Sequence, residues 1–429
     1  MKDYASDKSF VKRYRDAALE IARRKMAETA RLQAEAGEPP VPMKPRLSTG
    51  GHFSGFFLWD TVFGAMWARH APGGEFPVTG PLDNLLALAE PDGFVARQYD
   101  ARGVEVWDSR HPVAFAPPLL SWAELTLFRE GITGRARLLE TWPKLVRHHE
   151  ACARRFRRPD GLYAGDHFGC GMDDIPRYPR GMSPEEYSRG GVRMTAEILE
   201  PGSRGMWDSW LHERGAFLSW NVQAGWVDLT SQMALDAMCL AMIARELRFG
   251  EESAAFDAEH AALRAAVNEL CWDEAGGWYC DRGPDGVIPR HCAAGFWALL
   301  SRTASEERVP RVVAALKDPA RFGRPVPFPA LSAADPDYDP ENGYWLGASW
   351  PPTTYAAIRG LVEWGETDFA EESARRWYNA NAELWVRTGT VWENVSPEQC
   401  ERPKNRSGFD FCGWGALAPV AMPAEFGWL

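Results

Sequence analysis

Several signatures that would commit this chain to a particular chemistry are missing. Its eight cysteines (Cys152, Cys170, Cys239, Cys271, Cys280, Cys292, Cys400 and Cys412) form no C-x-x-C pair. A zinc knuckle or a disulfide framework is therefore unsupported, and free thiols in a reducing compartment, the cytoplasm by default, are expected. No P-loop, no G-x-G-x-x-G after a strand and no G-x-S-x-G elbow occurs, so nucleotide binding and serine-hydrolase chemistry lack a basis. His148-His149-Glu150 lacks the H-E-x-x-H spacing that puts two imidazoles on one helical face. The run Asp335, Asp337, Asp339, Glu341 alternates like a calcium loop, but Pro336 and Pro340 and the absent turn glycine spoil that template. Neither metal nor cofactor is expected.

Positive charge is also scarce in blocks. The net charge is −11 and no Lys/Arg cluster stands out, so no nucleic-acid partner is expected. No apolar run of about 18 residues and no apolar leader within residues 1–36 is seen, so neither a membrane partner nor export is expected. Period-two alternation is rare, and only short pieces such as Gly277-Trp278-Tyr279-Cys280 suggest local strand pairing.

What is present is apolar bulk and tryptophan. Hydrophobic residues make up 45% of the 429 positions, and 20 are Trp. An indole suits a core, and it equally suits stacking on the apolar face of a sugar ring. Helical periodicity recurs at 8–35, 56–70, 78–90, 117–131, 134–158, 227–249, 253–273, 293–302, 305–317, 348–364, 366–385 and 411–419. Helices that follow one another without strands suggest an all-α solenoid or its closed relative, an α/α toroid. One domain over 1–429 is expected. The helical pattern fails at 178–226, which is rich in Gly, Arg and Trp. A lid or pocket wall is the expected reading of that insert.

Four loops carry acids and aromatics beside Gly or Pro at helix boundaries: Phe57-Leu58-Trp59-Asp60, Gly171-Met172-Asp173, Tyr344 to Pro352, and Trp392-Glu393. A glycosidase needs one carboxylate to protonate the leaving oxygen and one to activate water. Glu393, between Gly389 and Pro397, suits the base and Asp173 the acid, with Asp174 as the alternative acid. The plain alternatives are ordinary loop acids and, for Asp60, a helix cap.

The four motifs, in this order across residues 50–420, resemble those of the α/α-barrel glycosidases of glycoside hydrolase family 63, including its short mannosylglycerate and glucosylglycerate hydrolases, and of the related trehalase family. The resemblance implies an (α/α)6 barrel and an inverting α-glycosidase acting on a small sugar. It implies Asp173 as general acid and Glu393 as general base. Phe57, Trp59 and Asp60 would grip the sugar together with Tyr344, Trp345, Gly347 and Trp350. Trp392, Trp414 and Arg177 complete the expected substrate-binding set, with Arg177 and the arginines up to Arg214 clamping an acidic aglycone or else pairing as solvated lid charges. Relatives often carry S-Q-P-P where this chain has Ala116 before Pro117-Pro118, which leaves substrate identity open. A trehalase-type disaccharidase, a sugar epimerase and a non-catalytic carbohydrate-binding protein are the alternatives. A homo-oligomer is compatible with all of them.

Overall fold

The computed structural model describes residues 2–181, 224–398, 402, 404–405 and 407–429 in full, and the backbone alone of 192–193 and 219–220. Most of the segment expected as a lid, 178–226, lies outside the described residues.

The chain opens with α1 (Lys8–Ala36), whose start is fixed by Asp7: its carboxylate accepts from the backbone N–H groups of Ser9 at 2.9 Å and Phe10 at 3.1 Å. The apolar stripe of α1 buries Phe10, Val11, Tyr14 and Ile21. Then come α2 (Leu58–Ala68), α3 (Thr79–Ala87), α4 (Leu120–Arg129), α5 (Arg135–Phe156) and the single turn α6 (His167–Cys170). These are followed by α7 (Val227–Leu247), α8 (Gly250–Leu270), a 3-10 turn (Ala293–Phe296) running into α9 (Trp297–Leu300), and α10 (Val309–Lys317). The chain finishes with α11 (Pro351–Glu363), α12 (Thr367–Thr388), α13 (Cys412–Gly415), a π-turn (Leu417–Ala421) and α14 (Met422–Glu425).

The expected helices are found, with boundaries moved for physical reasons. The helix expected at 253–273 ends at Leu270 because Trp272–Asp273 pairs antiparallel with Trp278–Tyr279. The helix expected from 348 begins at Pro351, where proline suits the first turn because its missing N–H has no intrahelical partner there. The helix expected at 305–317 begins only at Val309.

Helix packing follows the chain. α2 packs on α4, α4 on α7, α7 on the 3-10 turn and α9, α9 on α11, α11 on α13, and α13 returns to α2. A second set lies behind them: α1 against α13 and the π-turn, α3 on α2, α5 on α4 and α7, α8 on α7, and α12 on α11. Val227–Leu247 is apolar enough to cross a membrane by length and composition, yet 89% of that window is buried inside the protein. A helix apolar all round is what the middle of a helical core requires.

The loops that enter this first set of helices are stitched together by backbone bonds. Ser349 and Val395 exchange N–H to O bonds of 2.9 and 3.1 Å, Glu393 N donates to Gly408 O at 3.0 Å, and Gly413 N donates to Thr49 O at 2.9 Å. Phe56–Phe57 (β1) pairs with Gln98–Tyr99 (β2), and Leu58 N donates to Arg97 O at 2.9 Å. Segments far apart in sequence are thereby fixed at the N-terminal ends of α2, α11 and α13.

Candidate active site

Asp173 is placed by a glycine. The short helix α6 is capped by Asp166, whose carboxylate accepts from Phe168 N at 2.9 Å and Gly169 N at 3.1 Å. It ends at Gly171 with φ of +80°, a left-handed turn that suits glycine. A Cβ on Gly171 would come within 2.2 Å of the Trp59 ring. Gly171 therefore lets the acid-bearing loop lie directly on the indole at the start of α2, uniting two of the four motifs.

Glu393 is placed by three donors. Tyr344 Oη donates to Oε1 at 2.5 Å, Gly408 N to Oε2 at 2.7 Å, and the Trp414 indole N–H to its carbonyl at 2.9 Å. No cation bonds its carboxylate among the described residues. Burial pushes Glu393 up to about 7, against the lowering effect of the Tyr344 and Gly408 hydrogen bonds.

Burial likewise pushes Asp173 up to about 8, with the Arg97 charge pulling it down and Asp174, Glu393 and Asp166 pushing it up. Asp60 is also raised to about 8 by burial, with Glu393 adding to the rise and Arg97 opposing it. Asp60 lies inside the first turn of α2 behind the N-cap Phe57, so it is not the cap. Asp173 and Asp60 thus both sense the Glu393 charge, in a site where acids outnumber cations. Asp174, the alternative acid, accepts from Trp345 N at 2.6 Å and anchors that loop.

The aromatic residues form one cluster around these acids. Trp345 and Trp350 stack at 3.8 Å and 5°, Trp59 lies 6.3 Å from Trp345 and 5.5 Å from Trp414, and Tyr344 stands edge-on to Trp350 at 4.6 Å. Gly347 supports the loop by close approach, since a Cβ there would meet the Tyr338 ring at 2.8 Å.

Two expected residues are not brought into this group. Arg177 is enclosed and both its terminal nitrogens are engaged: Nη1 donates to Asp228 at 3.2 Å and Asp281 at 2.8 Å, Nη2 donates to Asp228, and the guanidinium lies over Trp226 at 3.9 Å. It cross-links the Asp173 loop to α7 and cannot clamp an aglycone without leaving two buried carboxylates unpaired. The Trp392 indole turns to Thr388 Oγ1 at 3.0 Å, to Phe409 and to Arg402. Trp392 bridges Phe409 in extended backbone, where successive side chains point to opposite faces, so it and Glu393 diverge.

Sequence reasoning missed Arg97 and Gln98. Arg97 is buried, faces Asp173, Asp166 and Asp60, and is surrounded by Phe57 at 5.7 Å, Trp107 at 5.5 Å and Phe168 at 5.5 Å. Gln98 Oε1 accepts from the Trp107 indole at 2.8 Å. Ala116 is buried and offers no side-chain donor in this neighbourhood.

Among the described residues, three other groups with metal-ligand chemistry make protein contacts of their own. His149 sits between Asp236 at 2.8 Å and Glu259 at 3.1 Å, and Asp335 is paired with Arg290 at 3.1 Å. Asp273, Cys280 and His291 converge within 4.8 Å, but His291 bonds Asp273 through Nε2 at 2.8 Å and faces the Arg321 guanidinium through Nδ1 at 3.1 Å. A guanidinium can only donate, so Nδ1 is the acceptor and Nε2 carries the proton rather than a free lone pair.

Buried carboxyl groups beside a cluster of tryptophans, at one end of packed helices, have the makings of a carbohydrate-processing site. The chain belongs to the mannosylglycerate hydrolase MGH1-like glycoside hydrolase family, whose sequence profile matches residues 57–411. Among solved structures, an uncharacterised conserved protein from Thermus thermophilus superposes with TM-score 0.69 at 18% identity, covering 95% of this chain and 99% of that one. The GH63 mannosylglycerate hydrolase of the same organism, in complex with glucose, gives 0.65 at 18%, covering 92% and 99%. Neutral trehalase Nth1 from Saccharomyces cerevisiae gives 0.59 at 16%, covering 92% and 78%. At these identities the likeness is one of fold. An uncharacterised protein of Borreliella burgdorferi is 23% identical over 334 residues, 76% of this chain, and the chain spans 60% of that relative's length.

Proposed function

We propose that this chain is an inverting α-glycosidase that hydrolyses a small α-linked glucoside or mannoside, with mannosylglycerate and glucosylglycerate as the first candidates. The observation that carries the reading is the pairing of Asp173 with Glu393. Both sit in one aromatic enclosure, the Glu393 charge acts on Asp173, and Asp173 is held up to about 8 while Glu393 is held to about 7. Between those two values Asp173 is the more protonated and Glu393 the more ionised of the pair, the order that the two roles demand.

Glu393 takes a proton from a water as its oxygen attacks the anomeric carbon. The glycosidic C–O bond breaks as Asp173 delivers its proton to the leaving oxygen. Inversion requires the two carboxyl groups to stand about 6.5–9.5 Å apart, with the water between Glu393 and the sugar. Family membership and the fold of the Thermus mannosylglycerate hydrolase support this choice of substrate. The order of helix neighbours, returning from α13 to α2, supports an (α/α)6 toroid formed as a single domain. The fold of neutral trehalase keeps an α-glucobiose as the second candidate.

Hydrolysis of mannosylglycerate, glucosylglycerate and trehalose, followed by chromatographic detection of free sugar with Glu393→Gln alongside, tests the reading. Cleavage of one member, lost in the variant, is the expected result. Equal cleavage by both proteins contradicts the role of Glu393, and no cleavage by either contradicts the proposed substrate class.

A further inference from the structure

We infer that Arg97 is a substrate-binding residue whose Nη1 donates a hydrogen bond to a neutral hydroxyl oxygen of the sugar being cut, an inference that rests on the glycosidase reading above. The backbone of Arg97 is held from both sides: its N–H donates to Ala114 O at 2.9 Å, and its carbonyl accepts from Leu58 N at 2.9 Å. It is thus tied to the first residue of α2, next to Trp59 and Asp60. The residue is 9% exposed, yet Nη1 has no hydrogen-bond partner among the described residues. Among the described residues, the one bond its guanidinium makes to a side chain is long, Nη2 to Gln98 Oε1 at 3.4 Å, and that oxygen already accepts from Trp107.

A buried donor left unpaired is unfavourable, and in functional sites such a group marks where a ligand atom belongs. Arg177 supplies the contrast: its two terminal nitrogens both meet carboxylates. Arg97 faces Asp60, Asp166 and Asp173 electrostatically without bonding any of them. The acceptor for Nη1 therefore comes from a ligand. An anionic group reaching it would meet whichever of Asp60, Asp166 and Asp173 is ionised, whereas a hydroxyl oxygen meets no such repulsion. A polyhydroxylated neutral sugar also matches the enclosure, because each hydroxyl both donates and accepts and can meet the guanidinium and the carboxyl groups alike.

The test compares wild type, Arg97→Met and Arg97→Lys against the glycoside the protein cleaves and its 2-, 3-, 4- and 6-deoxy analogues, by kcat/KM. If no member of the panel above is cleaved, the same comparison is made by calorimetric Kd of glucose, mannose and the monodeoxyglucoses in the Glu393→Gln background. Wild type is expected to disfavour one deoxy analogue by about ten- to a hundredfold. Arg97→Met is expected to erase that one discrimination while leaving the others, and Arg97→Lys, which still donates, to restore part of it. Should the Met variant fail to give a native near-ultraviolet circular dichroism spectrum, the Lys variant carries the comparison. Unchanged discrimination at every hydroxyl, or a uniform loss on parent and analogues alike, overturns the inference while cleavage by wild type keeps the hydrolase reading. Sugar binding that depends on Arg97 without cleavage does the reverse, and absence of both overturns both.

Discussion

The side chains of Glu393 and Glu425 are both buried, and their surroundings differ in one respect. Glu425 accepts from Arg69 at 2.6 Å, Tyr355 at 2.5 Å and Arg359 at 2.9 Å. Although burial works against it, His70 at 3.6 Å, followed by Arg359, Arg69 and Tyr355, holds its carboxyl down to about 2. Glu393 has a tyrosine and a backbone N–H but no cation, and it rises to about 7. Burial alone therefore does not mark a proton-transfer group. A buried acid fully matched by cations is a brace that keeps its charge, while a buried acid left short of cations keeps a labile proton. The same contrast separates Arg177 from Arg97.

The largest effect expected from breaking this comparison is on turnover. Glu393→Gln and Asp173→Asn should each lower kcat by about 10²–10⁴-fold while the thermal midpoint does not fall, measured by steady-state kinetics and calorimetry on the same preparations. Glu425→Gln should do the opposite. Removing one partner of a buried charge network costs about 3–5 kcal/mol, so the denaturant midpoint should drop while activity per folded molecule persists. Equal losses of turnover from both glutamate variants would erase the distinction.

The pH dependence sharpens it further. Activity should rise as Glu393 ionises through about 7 and fall as Asp173 loses its proton above about 8, giving a narrow bell in kcat/KM. The stability signs are opposite for the two regions. Asp173 has a folded value raised from 3.8 to about 8, so its contribution is present at acid pH and is lost as pH rises through 8. Glu425 has a folded value lowered from 4.5 to about 2, so its contribution is present above 4.5 and is lost as pH falls toward 2. Melting scans should accordingly show Asp173→Asn more stable than wild type at pH 9 and similar to it at pH 4. The smallest effect expected is from Tyr344→Phe. Losing that hydrogen bond raises Glu393 further, so the acid limb should move upward and activity at pH 7 should fall by about two- to tenfold.

The helices were legible because an apolar stripe at 3.6-residue spacing leaves a local record. The four loops were legible because Gly and Pro punctuate helix ends, and Trp59, Asp173, Tyr344, Trp345, Trp350, Glu393 and Trp414 converge as their positions implied. What escaped depended on partners distant in sequence. Arg177 stands beside the Asp173 loop, which invited a substrate role, but its carboxylates come from Asp228 and Asp281, 51 and 104 positions away. Arg97 is flanked by Ala96 and Gln98, beside the short β2 strand, with no turn or charge pattern to single it out. Its relation to Asp60 and Asp173 arises only when β1 and β2 pair. Gly408, 15 residues after Glu393, contributes only its backbone N–H, which any residue but proline could supply.

Whether Glu393 and Asp173 perform the proposed single displacement is read from the anomer first released. Proton NMR during cleavage of mannosylglycerate or glucosylglycerate should record the β-sugar first, with the α-anomer appearing only by mutarotation. Initial release of α-sugar would require a covalent intermediate and would contradict the assignment of Glu393 as a base acting through water.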